Sequence, residues 1–216
     1  MRVRDLLLAV GVVASVCGAT TPPRSGRLVR IPGGTVRSLY GPAVVVRGFS
    51  IERDPVTREE FARWKAGHPV AVDNGRAPAT NVSRDDARIF CAARGERLPT
   101  VAEWEYVAAA SRTVRDGSED PAFIQSLVST YATRRGDRPV DVADTNVYGV
   151  RGMHDLVWEW VNDLHAHHGA THDVGCAGAA LDATDPRNYP AFLRAALRTG
   201  LSDDTRLSTL GFRCAA

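Results

Sequence analysis

Lysine is almost missing from this chain. Lys65 is the only one in 216 residues, and arginine supplies the rest of the positive charge, a pattern that codon bias explains as readily as function. An excess of either charge is missing too. The formal net charge is +2, so no strong electrostatic pull toward nucleic acid or a membrane surface follows. No apolar run reaches membrane-spanning length. The most continuous, from Leu6 to Val16, is shorter than the roughly 20 residues a spanning helix needs. No internal repeat and no evident linker divides the chain. With 44% hydrophobic content, a normal share for a globular protein, this reads as one sizeable domain.

What is present begins with the N-terminus. "MRVRDLLLAVGVVASVCGA" sets two arginines before the apolar run and small residues after it, the shape of a secretory signal peptide. Cleavage after Ala19 puts Cys17 and Ala19 at the two recognition positions. Residues 1–19 are therefore expected to be a signal peptide, and the protein periplasmic or secreted. A lipid-modified Cys17 is the lesser outcome, because bulky Val16 precedes it. Residues 20–27, rich in Pro, Ser and Thr, read as a disordered lead-in. Of four cysteines, three remain after cleavage: Cys91, Cys176 and Cys214. In an oxidising compartment two of them can pair and one is left over.

The mature chain, 28–216, reads as α+β with much irregular structure. "LVRIPGGTVRS" and "AVVVRGFSIER" are strand-like around turns. Three helix starts carry capping residues. Thr57 with Glu60 and Thr100 with Glu103 have capping-box spacing, and Ser83 caps between them. Gly67 and Gly95 mark helix ends. Val101, Trp104, Val107 and Ala108 form one apolar face. Cys91 points inward from the helix begun at Ser83. A short helix is expected over about 121–132. "NVYGVRGMHDLVWEWVND" reads as turn and strand, and the end, "LRAALRTGL" then "LSTLGFRCAA", as strand, loop, strand.

Five pieces, in order, resemble the sulfatase-modifying-factor family, whose founding members are formylglycine-generating enzymes. They are "IPGG", "PVTREEFARW", "PATNVSRDDARIFCAARGERLPTVAEWEYVAAA", "NVYGVRGMHDLVWEWVND" and "LGFRCAA". The resemblance covers nearly all of the mature chain. Details such as "GMHDLVWEW" are most similar to a branch often grouped with a periplasmic pyoverdine-maturation protein. The resemblance implies a single compact domain of the C-type-lectin-related fold of these enzymes. It also implies a Cys91–Cys214 disulfide and leaves Cys176 free. The family's second disulfide falls on Ala108 and Ala195, lost as a pair.

The family's oxidising members hold copper between two cysteines, which here fall on Asp185 and Pro190. Neither offers the soft thiolate that copper(I) selects, so copper and formylglycine formation are not expected. Glu159 stands where the family has a calcium ligand. Its partner asparagine falls on Gly152, and Asp155 is a substitute ligand. "DLHAHHGATHD" offers His165, His167, His168 and His172 with Asp163 and Asp173 as donors for zinc, copper or iron, in no standard spacing. A solvated loop is the plainer reading there. Cys176, His154 and Arg198 are weak catalytic candidates, each with a structural reading beside it. Two functions follow: an exported metal-dependent oxidoreductase acting on a peptide or small metabolite, and a catalytically silent, lectin-like binding module for a peptide, glycan or envelope component. The cofactor stays unassigned, with calcium the candidate, and no nucleic acid partner is expected.

Overall fold

Capping chemistry decides where the helices begin. The computed structural model describes residues 26–37, 42–164 and 187–216. Helix α1 (Arg58–Ala66) starts at Thr57, whose hydroxyl accepts from the Glu60 amide while Glu60 accepts from the Thr57 amide. Helix α2 (Arg84–Ala92) starts at Ser83, which accepts from the Asp86 amide at 3.1 Å. Helix α3 (Val101–Ala108) repeats the box with Thr100 and Glu103. Each device satisfies backbone donors that a helix start leaves free. Gly67, at φ 73°, turns the chain out of α1 in the left-handed region that favours glycine. Helix α4 (Pro121–Thr133) opens on Asp120 and a proline in its first turn.

The strands are short. β1 (Leu28–Ile31) pairs antiparallel with β4 (Phe49–Glu52), placing Leu28 opposite Glu52 and Ile31 opposite Phe49. β2 (Gly34–Val36) pairs antiparallel with β3 (Val44–Val46). β5 (Trp158–Glu159) lies parallel to β6 (Leu210–Gly211). The C-terminal residues then thread between β4 and the loop before α3. Glu52 N donates to Cys214 O at 2.9 Å, and Ala215 exchanges both backbone bonds with Arg97. The expected bridge is present: Cys91 and Cys214 form a disulfide with Cα atoms 5.6 Å apart. It fastens the chain's end to the inner face of α2. Phe61, Trp64, Phe90 and Phe212 pack on one another in the core cluster that holds both cysteines, with ring centres 5.3–5.9 Å apart, several edge-to-face. The expected apolar face of α3 is buried in the same core.

Two expectations need correction. The segment read as a strand, "LRAALRTGL", lies mostly in helix α5 (Tyr189–Thr199). Pro190 and Arg194 are buried with a helical interval between them, and Ala, Leu and Arg are strong helix formers. Arg27, assigned to the disordered lead-in, is anchored: it ion-pairs with Glu52 and Glu96, and its carbonyl accepts from the Arg53 amide at 2.8 Å. Residues 1–25, with the signal peptide, Cys17 and most of the lead-in, lie outside the described residues, as do His165, His167, His168, His172, Asp173, Cys176 and Asp185. No described helix is long and apolar enough to cross a membrane.

Candidate functional site

Successive residues on a helix point about 100° apart, so Glu103, Trp104 and Glu105 of α3 face three neighbourhoods. Glu103 takes both terminal nitrogens of Arg97 at 2.6 Å besides closing its cap. Trp104 enters the core, and its indole N–H donates to Glu159 Oε2 at 2.8 Å. Glu105 faces α5, where it accepts from Arg194 Nε at 2.9 Å and Arg198 Nη1 at 2.6 Å.

Glu159, the expected calcium position, is fully buried with a guanidinium. Arg213 Nε and Nη2 reach its two oxygens at 2.8 and 2.7 Å, and neither side chain is exposed to solvent. Arg213 gives its other donors to the carbonyls of Glu52, Arg53 and Arg151. The counter-charge that a cation would supply to Glu159 comes from Arg213. Gly152, where the family has an asparagine, holds φ 71°, and a Cβ there would meet Leu156 Cδ1 at 2.7 Å. Asp155 belongs to a different group: its Oδ2 accepts from Arg138 and the Asp144 amide, while Oδ1 is buried with no partner among the described residues. Glu159 and Asp155 each accept from an arginine of their own, Arg213 and Arg138.

The second constellation lies between α3, α4 and α5. His154 Nε2 is 2.9 Å from the carbonyl of Ala108, which can only accept, so Nε2 carries the proton. Nδ1, 2.9 Å from the Tyr131 hydroxyl, then accepts from it. The same hydroxyl accepts from Arg194 Nη1 at 2.8 Å. Hydrogen bonds thus run one way, from Arg194 through Tyr131 and His154 to the backbone. Burial, with Arg194 nearby, lowers the His154 pKa to about 3. Burial pushes the Glu105 carboxyl up, but Arg194 and Arg198 overcome this and hold it down at about 2. Arg134 lies over the Trp158 ring at 3.5 Å and beside the Tyr131 ring at 4.8 Å, donating from Nε to the His154 carbonyl. The arrangement is a half-buried, arginine-rich wall backed by aromatic rings. A neutral imidazole with both nitrogens engaged serves there as a strut.

Of the sequence candidates, the structure brings His154 and Arg198 into this one cluster. Asp163 is diverted: it accepts from the Val101 amide at 2.7 Å, tightening the start of α3. Tyr131, Arg134, Glu105 and Arg194 were missed. The spacing of Arg194 and Arg198, four apart, was the available signal. Copper also finds no fit among the described residues. Both described cysteines are in the disulfide. Pro190, Arg194 and Arg198 recur at four-residue intervals, so Pro190 shares the helix face that turns toward Glu105, and it is buried there without a donor atom. Two other features lie apart from the cluster. A cavity of about 250 Å³ is lined by Arg27, Glu52, Asp54, Thr57 and Glu60, and it shares no residue with the cluster. Glu52, Glu96 and Cys214 approach one another, but Arg27 pairs with both carboxylates and Cys214 is oxidised.

Residues 16–216 match the family described as sulfatase-modifying factor enzyme 1-like domain. The formylglycine-generating enzyme of Bos taurus is 30% identical over 190 residues, covering 72% of this chain and 49% of that protein. The inactive C-alpha-formylglycine-generating enzyme 2 of Bos taurus is 31% identical over 178 residues, covering 75% and 58%. The chain thus spans about half the length of these curated relatives. PvdO from Pseudomonas aeruginosa superimposes with a TM-score of 0.53 at 20% identity, over 87% of this chain and 93% of that one, a likeness of fold.

Proposed function

The chain belongs to the sulfatase-modifying factor enzyme 1-like domain family, and we propose that within it this is a member that keeps the fold but does not form formylglycine, an exported module that binds a peptide or small metabolite of the cell envelope. One observation carries the reading. Pro190, at one of the two positions where the resemblance puts copper-binding cysteines, is buried on the α5 face whose register Arg194 and Arg198 fix against Glu105. A cyclic side chain without a donor atom cannot replace a thiolate ligand. A relative whose name calls it inactive, 31% identical, is in keeping with this. Export is supported by the signal-like N-terminus and by a disulfide, a bond that persists in oxidising compartments.

The competing reading, a metal-dependent oxidoreductase, draws on Cys176 and on His165, His167 and His172, all outside the described residues. Metal analysis of the protein purified from the periplasm separates the two. The binding module predicts no stoichiometric redox metal; copper or iron at one equivalent favours the enzyme.

A further inference from the structure

Among the described residues, charge does not balance in the cluster. Arg134, Arg194 and Arg198 are three guanidiniums, and Glu105 is the one carboxylate paired with any of them among the described residues, which leaves two positive charges. Glu159 is held by Arg213 and Asp155 by Arg138. His154 is neutral, its imidazole kept from protonation by burial. Arg134 is the group left over. Among the described residues no carboxylate ion-pairs with it, and its Nε alone is engaged, with the His154 carbonyl at 3.0 Å. Its guanidinium is nonetheless partly withdrawn from water, and burial pushes its pKa down to about 10. A desolvated, unpaired charge is costly, and an anionic partner removes that cost.

Stacking decides which part of Arg134 is available. A guanidinium lying on Trp158 at 3.5 Å hides one face and keeps its terminal N–H groups in the plane of the fork. That edge is the one that recognises carboxylate, sulfate or phosphate through two parallel bonds. Arg134 and Trp158 are both half-buried, so the pair lies where the cluster meets the surface. We propose that Arg134, lying over Trp158 and beside Tyr131, is the anchor for an oxyanion group of the ligand, so that the module selects an anionic peptide or metabolite. This rests on reading the cluster as a ligand-binding face.

The test uses the mature protein and three probes, sodium acetate, sodium sulfate and inorganic phosphate, each titrated at ionic strength held constant with sodium chloride. Thermal melting and tryptophan emission are followed, because Trp158 lies directly under Arg134. The expected result is a saturable shift in both. Arg134→Gln weakens the response about tenfold or more, the loss expected for charge-assisted bonds. Arg135→Gln, at an exposed neighbour paired with Asp137, responds like the parent. Acetate saturating first identifies a carboxylate ligand; sulfate or phosphate saturating first identifies a sulfated or phosphorylated one. An unsaturable response to every probe, or an equal response in Arg134→Gln, overturns the anchor. If Arg134→Gln fails to fold, the Arg134 Nε–H resonance of the parent decides: it moves saturably with the anion, or the proposal falls. Loss of the anchor with no formylglycine product discards this subsite alone, whereas formylglycine formation discards the module whatever Arg134 does.

Discussion

Replacing Arg213 with methionine is expected to strip the core of its one fully buried counter-charge to Glu159. The substitution keeps most of the apolar volume but leaves Glu159 facing Trp104 with no cation. It also orphans carbonyls of Glu52, Arg53 and Arg151 that now accept from the guanidinium. Breaking a buried pair by removing one partner costs about 3–5 kcal/mol, against a net stability of about 5–15 kcal/mol for a domain. At about 2–4 °C per kcal/mol for a chain of this size, the melting temperature should fall by roughly 6–20 °C. Urea unfolding followed by tryptophan fluorescence and circular dichroism measures the loss. The double variant Arg213→Met with Glu159→Leu should be more stable than Arg213→Met alone, because no bare charge remains. A single-variant loss under about 1 kcal/mol, or strictly additive losses, would refute the reasoning.

The remaining predictions concern the bridge, the histidine and calcium. The Cys91–Cys214 disulfide closes a separation of 123 residues, for which the entropic model gives about 5 kcal/mol as an upper figure. Reduction should therefore lower the melting temperature sharply, and thiol counting on unfolded, unreduced protein cleaved after Ala19 should find one thiol, rising to two in Cys91→Ala. His154, with its folded pKa lowered to about 3 by burial, binds fewer protons folded than unfolded. Its contribution is complete above its unfolded pKa of about 6.5 and is lost as pH falls toward 3, by at most about 1.4 kcal/mol per pH unit. Between pH 6 and 4 the stability of His154→Gln should fall less steeply than that of the parent; equal slopes contradict the assignment. Millimolar calcium should leave the melting temperature unchanged, since Glu159 already has Arg213; a rise of several degrees would place an ion here.

Local devices were legible in the sequence and distant pairings were not. Thr57 with Glu60 and Thr100 with Glu103 sit three residues apart, so a single turn contains the whole cap, and the structure forms both. The Cys91–Cys214 pairing came through resemblance, since nothing near either residue specifies the other. α5 was misread although Asn188 and Pro190 stand at its start, because its approach is rich in Gly and Ala and Asn188 makes no side-chain cap. Its helical period appears only once Pro190, Arg194 and Arg198 are seen to share a face. Glu159 and Arg213 lie 54 residues apart and Glu105 and Arg194 lie 89 apart, so neither ion pair has a local signature. Tyr131 and Arg134 close a helix whose surroundings are polar, and only its docking against His154 and Trp158 gives them a role.

The central claim is a family member without the family's copper chemistry. Its most direct test is to load the purified protein with copper(I), incubate it in air with a peptide carrying the sulfatase cysteine motif, and weigh the peptide by mass spectrometry. The account predicts that the cysteine is unchanged. Robust conversion of that cysteine to the aldehyde would contradict it.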